Sequence, residues 1–360
     1  LEHASQFAEE LLALIRESYH IEEHALYISA SIGVSIISDS KMDASNFIKE
    51  ADIAMYEAKG KGRNGIIFFN QKLAKQVEWK LEIERLLHFS LQNNEISLTY
   101  QPQYNTENEI IGCEVLSRWE NETLGEVSPT EFIPISEKNG FIIELGYYIL
   151  KEAFLTFKKW EEKGISLQQM SINVSMRQLF HYNFINEVKQ LCDNYLTKEQ
   201  RSKIVFEITE TSVAEDIQKL ITNMRILQDY GIRFSMDDFG TGYSSLSYLR
   251  QLPINEIKID KSFISELHHL EHDEDKCFVE TIFTIAKKLK LKIVAEGIEN
   301  EEQCKFIVDQ KCDILQGYYL SEPVQDEVFE KLFLDAKYAE SLKPSNYFKE
   351  ATYASAFSRS

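Results

Sequence analysis

From residue 95 onward, short apolar runs alternate with longer stretches whose apolar residues recur at helical spacing. The short runs predict strands at 96–104, 110–119, 169–175, 204–211, 233–238, 256–260, 292–296 and 314–320. The longer stretches predict helices at 140–162, 183–195, 214–230, 276–290 and 301–309. This alternation is typical of a parallel sheet whose strands are connected by helices.

The first two predicted strands are separated by residues 105–109 alone. That connection is too short for a helical crossover, so these two strands should be antiparallel. Eight strands within about 230 residues predict an α/β fold, a (β/α)8 TIM-like barrel with an irregular, antiparallel start. An open doubly wound sheet is the alternative, but no GxGxxG sequence follows a first strand to support it.

The segments outside this alternation predict three further parts of the chain. Residues 1–70 combine helical patterns at 4–18 and 44–59 with strand-like runs at 27–37 and 66–69, which predicts a partial α/β domain. Residues 71–94 predict a charged linker helix, residues 95–335 the barrel, and the polar residues 336–360 an appended tail.

Polar side chains lie close to the C-terminal ends of the predicted barrel strands. They are Glu114, Arg118, Asn173, Glu207, Glu210, Asp237, Asp238, Lys258, Asp260, Glu296, Glu299 and Gln316. Each alone has an ordinary explanation, such as a solvated strand face, a turn or a snorkelling lysine. Barrel strands are buried on both sides, however, and unpaired charges there are strongly unfavourable. Because the C-terminal ends of barrel strands meet at one face, together these residues predict a functional site.

Asp237 and Asp238 are the clearest sign of a cation at this site. They end a predicted strand and are followed by a loop with Gly240 and Gly242. Adjacent like charges repel each other unless a cation lies between them, and Mg²⁺ and Mn²⁺ prefer oxygen ligands. An Asp-rich turn that caps the next helix is the alternative, and this stretch alone leaves both open.

Net charge, cysteine content and motif content argue against several classes of function. The chain has 360 residues and a formal net charge of −19, which disfavours a nucleic-acid polymer as partner because such binding needs Lys and Arg at the phosphates. The five cysteines form no CxxC pair and are odd in number, which indicates free thiols in a reducing, cytoplasmic compartment. No HExxH sequence supports a zinc protease.

No segment of the sequence predicts a membrane span or a signal peptide. The most apolar run, 141–150, contains Glu144 and is too short to cross a bilayer. The chain begins with Leu1, so we expect it to be a fragment of a longer protein with an unknown N-terminal sensor domain. That protein is either cytoplasmic or a membrane-bound protein of which this chain is the cytoplasmic part.

The N-terminal residues carry a family resemblance. The sequences Ser31-Ile32-Gly33-Val34, Ala51-Asp52-Ile53-Ala54-Met55-Tyr56-Glu57-Ala58-Lys59 and Gly62-Arg63-Asn64 resemble the C-terminal part of a GGDEF (diguanylate cyclase) domain. The GG(D/E)EF hairpin that carries catalysis in that family is absent from this sequence. Lys59 and Arg63 match family positions that touch substrate phosphates, but we favour the simpler explanation that they are cations at a helix C-terminus that complement its dipole.

A second resemblance covers roughly residues 95–335. Its motifs are Gln101-Pro102, Glu114-Val115-Leu116-Ser117-Arg118-Trp119, Asn173 in INVS, Glu207-Ile208-Thr209-Glu210-Thr211, the sequence DDFGTGYSSL from Asp237, Lys258-Ile259-Asp260, Val294-Ala295-Glu296-Gly297-Ile298-Glu299 and Gln316-Gly317-Tyr318. They resemble the EAL domains, which are cyclic di-GMP phosphodiesterases. The family fold is a (β/α)8 barrel with one antiparallel strand, as the short 105–109 connection also predicts.

The resemblance implies metal-dependent hydrolysis of cyclic di-GMP to linear pGpG in bacterial second-messenger signalling. It implies two Mg²⁺ or Mn²⁺ ions held by Glu114, Asn173, Glu207, Asp237 and Asp238. Catalytic residues would be Lys258, which positions or deprotonates the attacking water, Glu296, and Glu210, which braces the DDFGTGYSSL loop. Substrate would meet Gln101, Leu116, Arg118, Asp260, Glu299 and Gln316. A homodimer through the EAL domain, near that loop and the 276–290 helix, is also implied.

Two departures from the family pattern are visible: Val115 replaces the alanine of the EAL triplet, and the GGDEF-like part is incomplete. The alternative function is a receptor module that binds cyclic di-GMP without cutting it. A pure interaction scaffold is a third hypothesis, but it leaves the buried carboxylates unexplained.

Overall fold

The computed structural model describes residues 2–22, 24–36, 43–60, 62–210, 216–241, 249–265, 267 and 273–341. The chain divides into two units, Leu1–Phe89 and Ser90–Ser360. Among the described residues, no helix combines the length and the apolar character that crossing a membrane requires.

The first unit contains three helices and four short strands within its described residues. They are α1 (Glu2–Arg16), β1 (Tyr19–Ile21), β2 (His24–Leu26), β3 (Ile32–Val34), α2 (Ala44–Gly60), β4 (Ile66–Phe68) and α3 (Gln71–Leu87). Strands β1 and β2 are antiparallel, whereas β3 and β4 are parallel. A Cβ atom at Gly33 would overlap the backbone of Ala51 and Met55, so the absence of a side chain lets α2 pack directly on β3.

The second unit is a closed barrel. Its strands are β5 (Ile96–Tyr104), β6 (Ile110–Asn121), β7 (Gly125–Val127), β8 (Gln169–Asn173), β9 (Ile204–Thr209), β10 (Arg233–Phe239), β11 (Glu256–Ile259), β12 (Lys292–Ala295) and β13 (Ile314–Leu315). Strand order is β5-β13-β12-β11-β10-β9-β8-β6-β7, and a β5–β6 pairing closes the ring of eight. Strand β5 is antiparallel to both neighbours, β6 and β13. The predicted barrel with one antiparallel strand is confirmed, and β7 extends β6 outside the ring.

Helices cover the outside of the barrel. They are α4 (Pro129–Asn139), α5 (Ile142–Glu162), α6 (Met176–Leu179), α7 (Phe184–Tyr195), α8 (Lys198–Arg201), α9 (Ile217–Asp229), α10 (Lys261–Ser265), α11 (Asp273–Leu289), α12 (Glu301–Asp309) and α13 (Asp326–Ser341). Phe206 and Ile208 of β9 belong to the apolar core beneath these helices. Since side chains alternate along a strand, Glu207 between them points into the barrel.

Several element bounds differ from the sequence prediction, and three of these differences concern the barrel and the tail. The helix predicted at 140–162 begins at Ile142 and follows a separate helix, α4, which ends at Gly140 in the left-handed conformation (φ 91°). The strand predicted at 314–320 ends at Leu315, and the chain then passes so close to Ile298 that a Cβ atom at Gly317 would overlap the backbone of that residue. Helix α13 continues past residue 336, where the tail is predicted to begin, and residues 342–360 lie outside the described residues.

Candidate active site

The ammonium group of Lys258 lies among four carboxylates inside the barrel. Its Nζ atom is 2.5 Å from Glu296 Oε1, 2.8 Å from Glu207 Oε2, 3.2 Å from Glu114 Oε2 and 3.5 Å from Asp237 Oδ1. The Lys258 side chain is 1% exposed. A cationic group this deeply buried requires anionic partners. We call these five residues the carboxylate cluster.

Barrel geometry brings the carboxylate cluster together from distant parts of the sequence. Glu114 is on β6, Glu207 on β9, Asp237 on β10 and Lys258 on β11, while Glu296 directly follows β12. The parallel register pairs Glu207 with Ser235 on one side and with Asn173 on the other. Asn173 Nδ2 donates a 2.8 Å hydrogen bond to Glu114 Oε1 and is exposed, so solvent reaches this edge of the cluster.

Four carboxylates around one ammonium leave an excess of negative charge. Burial and the charge of Glu114 raise the pKa of Glu207 well above its usual value. Burial raises the pKa of Glu296 to about 8 and also raises the pKa of Asp237. Burial alone would raise the pKa of Glu114 too, but the charge of Lys258 and hydrogen bonds from Gln316 and Asn173 lower it. Glu114 is therefore the carboxylate of this cluster that its surroundings hold most firmly in the charged form.

The same charges keep Lys258 protonated. Burial alone would lower the pKa of its ammonium, but Asp237, Glu114, Glu207 and Glu296 together raise that pKa well above the usual value. An ammonium held in this form donates hydrogen bonds and has no lone pair that accepts a proton. In this structure Lys258 therefore donates to the surrounding carboxylates, and both roles predicted for it stay predictions.

An irregularity of strand β10 places two adjacent aspartates at the site. The pairing of β10 with β11 shifts between Met236 and Phe239, and Asp238 has a left-handed φ of 54°. A bulge of this kind interrupts strand alternation and redirects side chains. Burial, the charge of Asp237 and the charge of Asp260 raise the pKa of Asp238 to about 6. Asp238 and Asp260 are therefore close together beside Asp237.

The carboxylate cluster offers donor atoms of the chemical type that binds a divalent cation. Glu207 Oε1 is fully buried and has no hydrogen-bond partner among the described residues, although a buried carboxylate oxygen without a partner is strongly unfavourable. The neighbouring donors are carboxylate and amide oxygens, which Mg²⁺ and Mn²⁺ prefer. Among the described residues, no set of three or more His, Cys, Asp or Glu surrounds a common metal position. Lys258 Nζ lies between the carboxylates instead.

Glu210 lies just beyond β9 and reaches the loop that follows β10. Its Oε2 accepts a 2.7 Å hydrogen bond from the backbone N–H of Gly240. A residue that braces the DDFGTGYSSL loop would need such a contact near the start of the loop. Residues 242–248 of that loop lie outside the described residues, so the bracing role stays a prediction.

The predicted substrate residues fall into two groups. Gln101 and Gln316 are buried and adjoin the carboxylate cluster, where Gln316 Nε2 donates to Glu114 Oε2 (2.7 Å) and to Gln101 Oε1 (3.0 Å). The others are half-buried or exposed at the strand ends, namely Leu116, Arg118, Asp260 and Glu299. The structure thus divides the set into cluster neighbours and rim residues, and contact with substrate stays a prediction for both.

Three buried polar residues next to the site are missing from the sequence prediction. Gln103, Gln169 and Glu256 are 0–1% exposed and form hydrogen bonds inside the barrel. Two of them could have been found by their spacing, because side chains two residues apart on a strand share a face. Gln103 lies two residues after Gln101, and Glu256 lies two residues before Lys258.

Comparison with known proteins agrees with this geometry. Residues 83–323 match the EAL domain and residues 1–65 match the diguanylate cyclase GGDEF domain. The bifunctional diguanylate cyclase/cyclic di-GMP phosphodiesterase MucR of Pseudomonas aeruginosa is 36% identical over 90% of this chain and 47% of its own length. The cyclic di-GMP phosphodiesterase NbdA of the same organism is 30% identical over 96% of this chain and 43% of its own length.

The chain is also similar to solved structures of EAL proteins. The structure of the phosphodiesterase PaMucR in complex with c-di-GMP has a TM-score of 0.65 and 34% identity, covering 69% of this chain and 99% of that chain. The EAL domain of Mycobacterium smegmatis DcpA has a TM-score of 0.55 and 29% identity, covering 66% of this chain and 96% of that one. The chain spans less than half the length of the curated relatives MucR and NbdA. The chain belongs to the EAL domain family, and a GGDEF segment precedes its barrel.

Proposed function

We propose that this chain hydrolyses cyclic di-GMP to linear pGpG with the help of Mg²⁺ or Mn²⁺. The carboxylate cluster carries this proposal, because it combines excess negative charge with a buried Glu207 oxygen that has no hydrogen-bond partner in the described part of the chain. Relatives named as cyclic di-GMP phosphodiesterases support the substrate. Loss of one cluster carboxylate would argue for a receptor instead, but all four are present.

Each group of the site has a defined task in this proposal. Glu114, Asn173, Glu207 and Asp237 would hold the cations, with Asp238 beside them. Divalent cations at such a site lower the pKa of a bound water and offset the charge of a phosphodiester. The ammonium of Lys258 offsets the repulsion among the carboxylates, keeps them close together and donates hydrogen bonds toward the reacting oxygen atoms. Since the chain carries a net charge of −19, cations are also what lets a dianionic substrate approach.

The experiment that separates enzyme from receptor is chromatography of cyclic di-GMP after incubation with the protein and Mg²⁺ or Mn²⁺. We expect pGpG to accumulate with the parent and not with Glu114→Gln, which keeps the shape of the side chain but loses its charge. Binding of cyclic di-GMP without any product would favour the receptor function and contradict hydrolysis.

The chain should not synthesise cyclic di-GMP from GTP, because the GG(D/E)EF hairpin is absent from its sequence. Incubation with GTP and Mg²⁺, followed by liquid chromatography, tests this. The Glu114→Gln variant serves as control, since any cyclic di-GMP made would then escape hydrolysis. Accumulation of cyclic di-GMP in that control would refute the prediction.

We also propose a homodimer through the EAL domain, near α11. On this helix Phe278 is 43% exposed, and its ring lies 4.8 Å from that of Phe263, which contacts Gly240. Sedimentation velocity of the parent should show a dimer, and Phe278→Glu should shift the protein toward monomer. Val328→Glu, at an equally exposed position on α13, is the matched control and should leave the dimer intact. A parent that stays monomeric at high micromolar concentration with substrate and metal would contradict this proposal.

A further inference from the structure

Three glutamine side chains form a continuous row of hydrogen bonds inside the barrel, ending at Glu114. Gln316 Nε2 donates to Glu114 Oε2 at 2.7 Å, and Gln103 Nε2 donates to Gln316 Oε1 at 3.0 Å. Gln169 Nε2 donates to Gln103 Oε1 at 3.1 Å and lies 3.5 Å from Glu256 Oε1. We call Gln169, Gln103 and Gln316 the glutamine row.

The orientation of each amide in the glutamine row follows from the carboxylate at its end. An ionised carboxylate only accepts hydrogen bonds, so Gln316 must present its NH₂ group to Glu114 and its oxygen to Gln103. Gln103 must then present its NH₂ group to Gln316 and its oxygen to Gln169. All three amide dipoles consequently point the same way, and aligned hydrogen bonds strengthen one another.

The barrel backbone provides room for the glutamine row. Gly112 on β6 pairs with Gln103 on β5 and with Gln169 on β8. A Cβ atom at Gly112 would lie 2.8 Å from Gln169 Cγ and 2.9 Å from Gln103 Oε1. Any side chain at this position would therefore displace the row, so glycine is needed here for the row to form.

Filling space alone does not explain polar side chains at this depth. Barrel interiors are commonly filled by branched apolar residues, and buried polar networks are unfavourable unless every member is satisfied. Every link between neighbouring members of the glutamine row is a hydrogen bond, and the row ends on the Glu114 oxygen that also contacts Lys258. The other carboxylate oxygen of Glu114 accepts a hydrogen bond from Asn173 Nδ2. The glutamine row therefore contributes one of the contacts that fix the orientation of the Glu114 carboxylate.

We propose that Gln103 and Gln169 are positioning residues for Glu114 and act on it through Gln316. Neither reaches a reacting atom, and both set the angle at which the carboxylate faces a cation and Lys258. This inference rests on the proposed function, because it assigns a role within the same site. Hydrogen-bonded supports of metal-binding side chains typically contribute a factor of roughly 10–100 to metal affinity or activity.

The test is a double-variant cycle with Gln103→Met, Gln316→Met and the combined variant. Methionine keeps the length and buried volume of glutamine but can donate no hydrogen bond. We expect Gln103→Met to weaken Mn²⁺ binding, measured by calorimetry without substrate, and to lower kcat by roughly 10–100-fold. Because Gln103 acts through Gln316, the combined variant should be no worse than Gln316→Met alone.

Tyr100→Phe is the matched control, since Tyr100 lies on the same strand but faces outward, where its hydroxyl donates to Thr156 Oγ1 at 2.9 Å. It should lower the melting temperature and leave Mn²⁺ affinity and kcat at parental values. Should Gln103→Met fail to fold, Gln169→Met breaks the row one residue further away and carries the same expectation.

Two results would overturn the positioning role: a folded Gln103→Met with parental Mn²⁺ affinity and kcat, or effects of Gln103→Met and Gln316→Met that multiply in full. A parent protein that neither binds Mn²⁺ nor hydrolyses cyclic di-GMP is a different failure. It refutes the proposed function itself, and the inference with it.

Discussion

Replacement of Lys258 by alanine should lower the turnover of cyclic di-GMP by roughly 10²–10⁴-fold, the range typical of a group that assists proton transfer. Metal binding should survive, because the cluster oxygens that Lys258 now contacts become available to the cation. Loss of turnover and retention of metal are expected together. Initial rates beside calorimetric Mn²⁺ titration measure both.

The same substitution should also make folding depend on metal. Removing one partner of a buried ion pair commonly costs about 3–5 kcal/mol, and here four carboxylates lose their cation. A metal that binds only the folded state restores stability. Mn²⁺ should therefore raise the melting temperature of Lys258→Ala more than that of the parent. Lys203→Ala, which breaks a 2.9 Å ion pair with Glu161 elsewhere on the barrel, should show neither effect. Near-normal turnover of Lys258→Ala would disprove the role assigned to this residue.

Glu207→Gln should lose metal affinity and turnover together. Its Oε1 is the buried oxygen without a partner, and its Oε2 lies 2.8 Å from Lys258. An amide has no negative charge to bind a hard cation, so the loss should exceed the roughly 10–100-fold typical of a supporting hydrogen-bonded group.

Glu330→Gln is the control for this loss. Glu330 is a mostly buried carboxylate that forms ion pairs with Lys159 and Lys163, away from the cluster. Its replacement should change stability and leave metal affinity unchanged. If Glu207→Gln bound Mn²⁺ as tightly as the parent, Glu207 would not be a metal ligand.

The barrel could be predicted from the sequence because its two signals are local. Short apolar runs that alternate with segments of helical periodicity indicate parallel strands. The short 105–109 connection indicates the antiparallel strand. Helix α4 could also have been predicted from local sequence, since Ser128 and Pro129 are typical of a helix start and Ser128 caps this helix. Its brevity and the internal Pro134 obscured that pattern.

The arrangement within the site could be predicted only in part. Polar residues at strand ends show which side chains share a face, but the distances among them depend on strand register and rotamers. The contacts of Lys258 with four carboxylates come from four other chain segments, so no local pattern contains them. The bulge that redirects Asp238 breaks the alternation on which strand prediction relies.

The glutamine row shows a further limit of sequence reasoning. Gln103 and Gln169 are buried at the opposite side of the barrel from the C-terminal strand ends where functional residues were sought, since Gln169 begins β8 and Gln103 lies near the end of the antiparallel β5. Their inward orientation follows from period-two spacing, but their contact with each other requires the pairing of both β5 and β8 with β6. Only the closed barrel makes them neighbours.

A single-turnover reaction in water enriched in the heavy oxygen isotope tests whether the carboxylate cluster hydrolyses cyclic di-GMP. Protein in excess over cyclic di-GMP is mixed with Mn²⁺, and the products are analysed by mass spectrometry. We expect pGpG that carries one heavy oxygen in its terminal phosphate, formed by the parent and abolished by chelator or by Glu207→Gln. Bound but intact cyclic di-GMP, or equal product formation by Glu207→Gln, would contradict hydrolysis at this cluster.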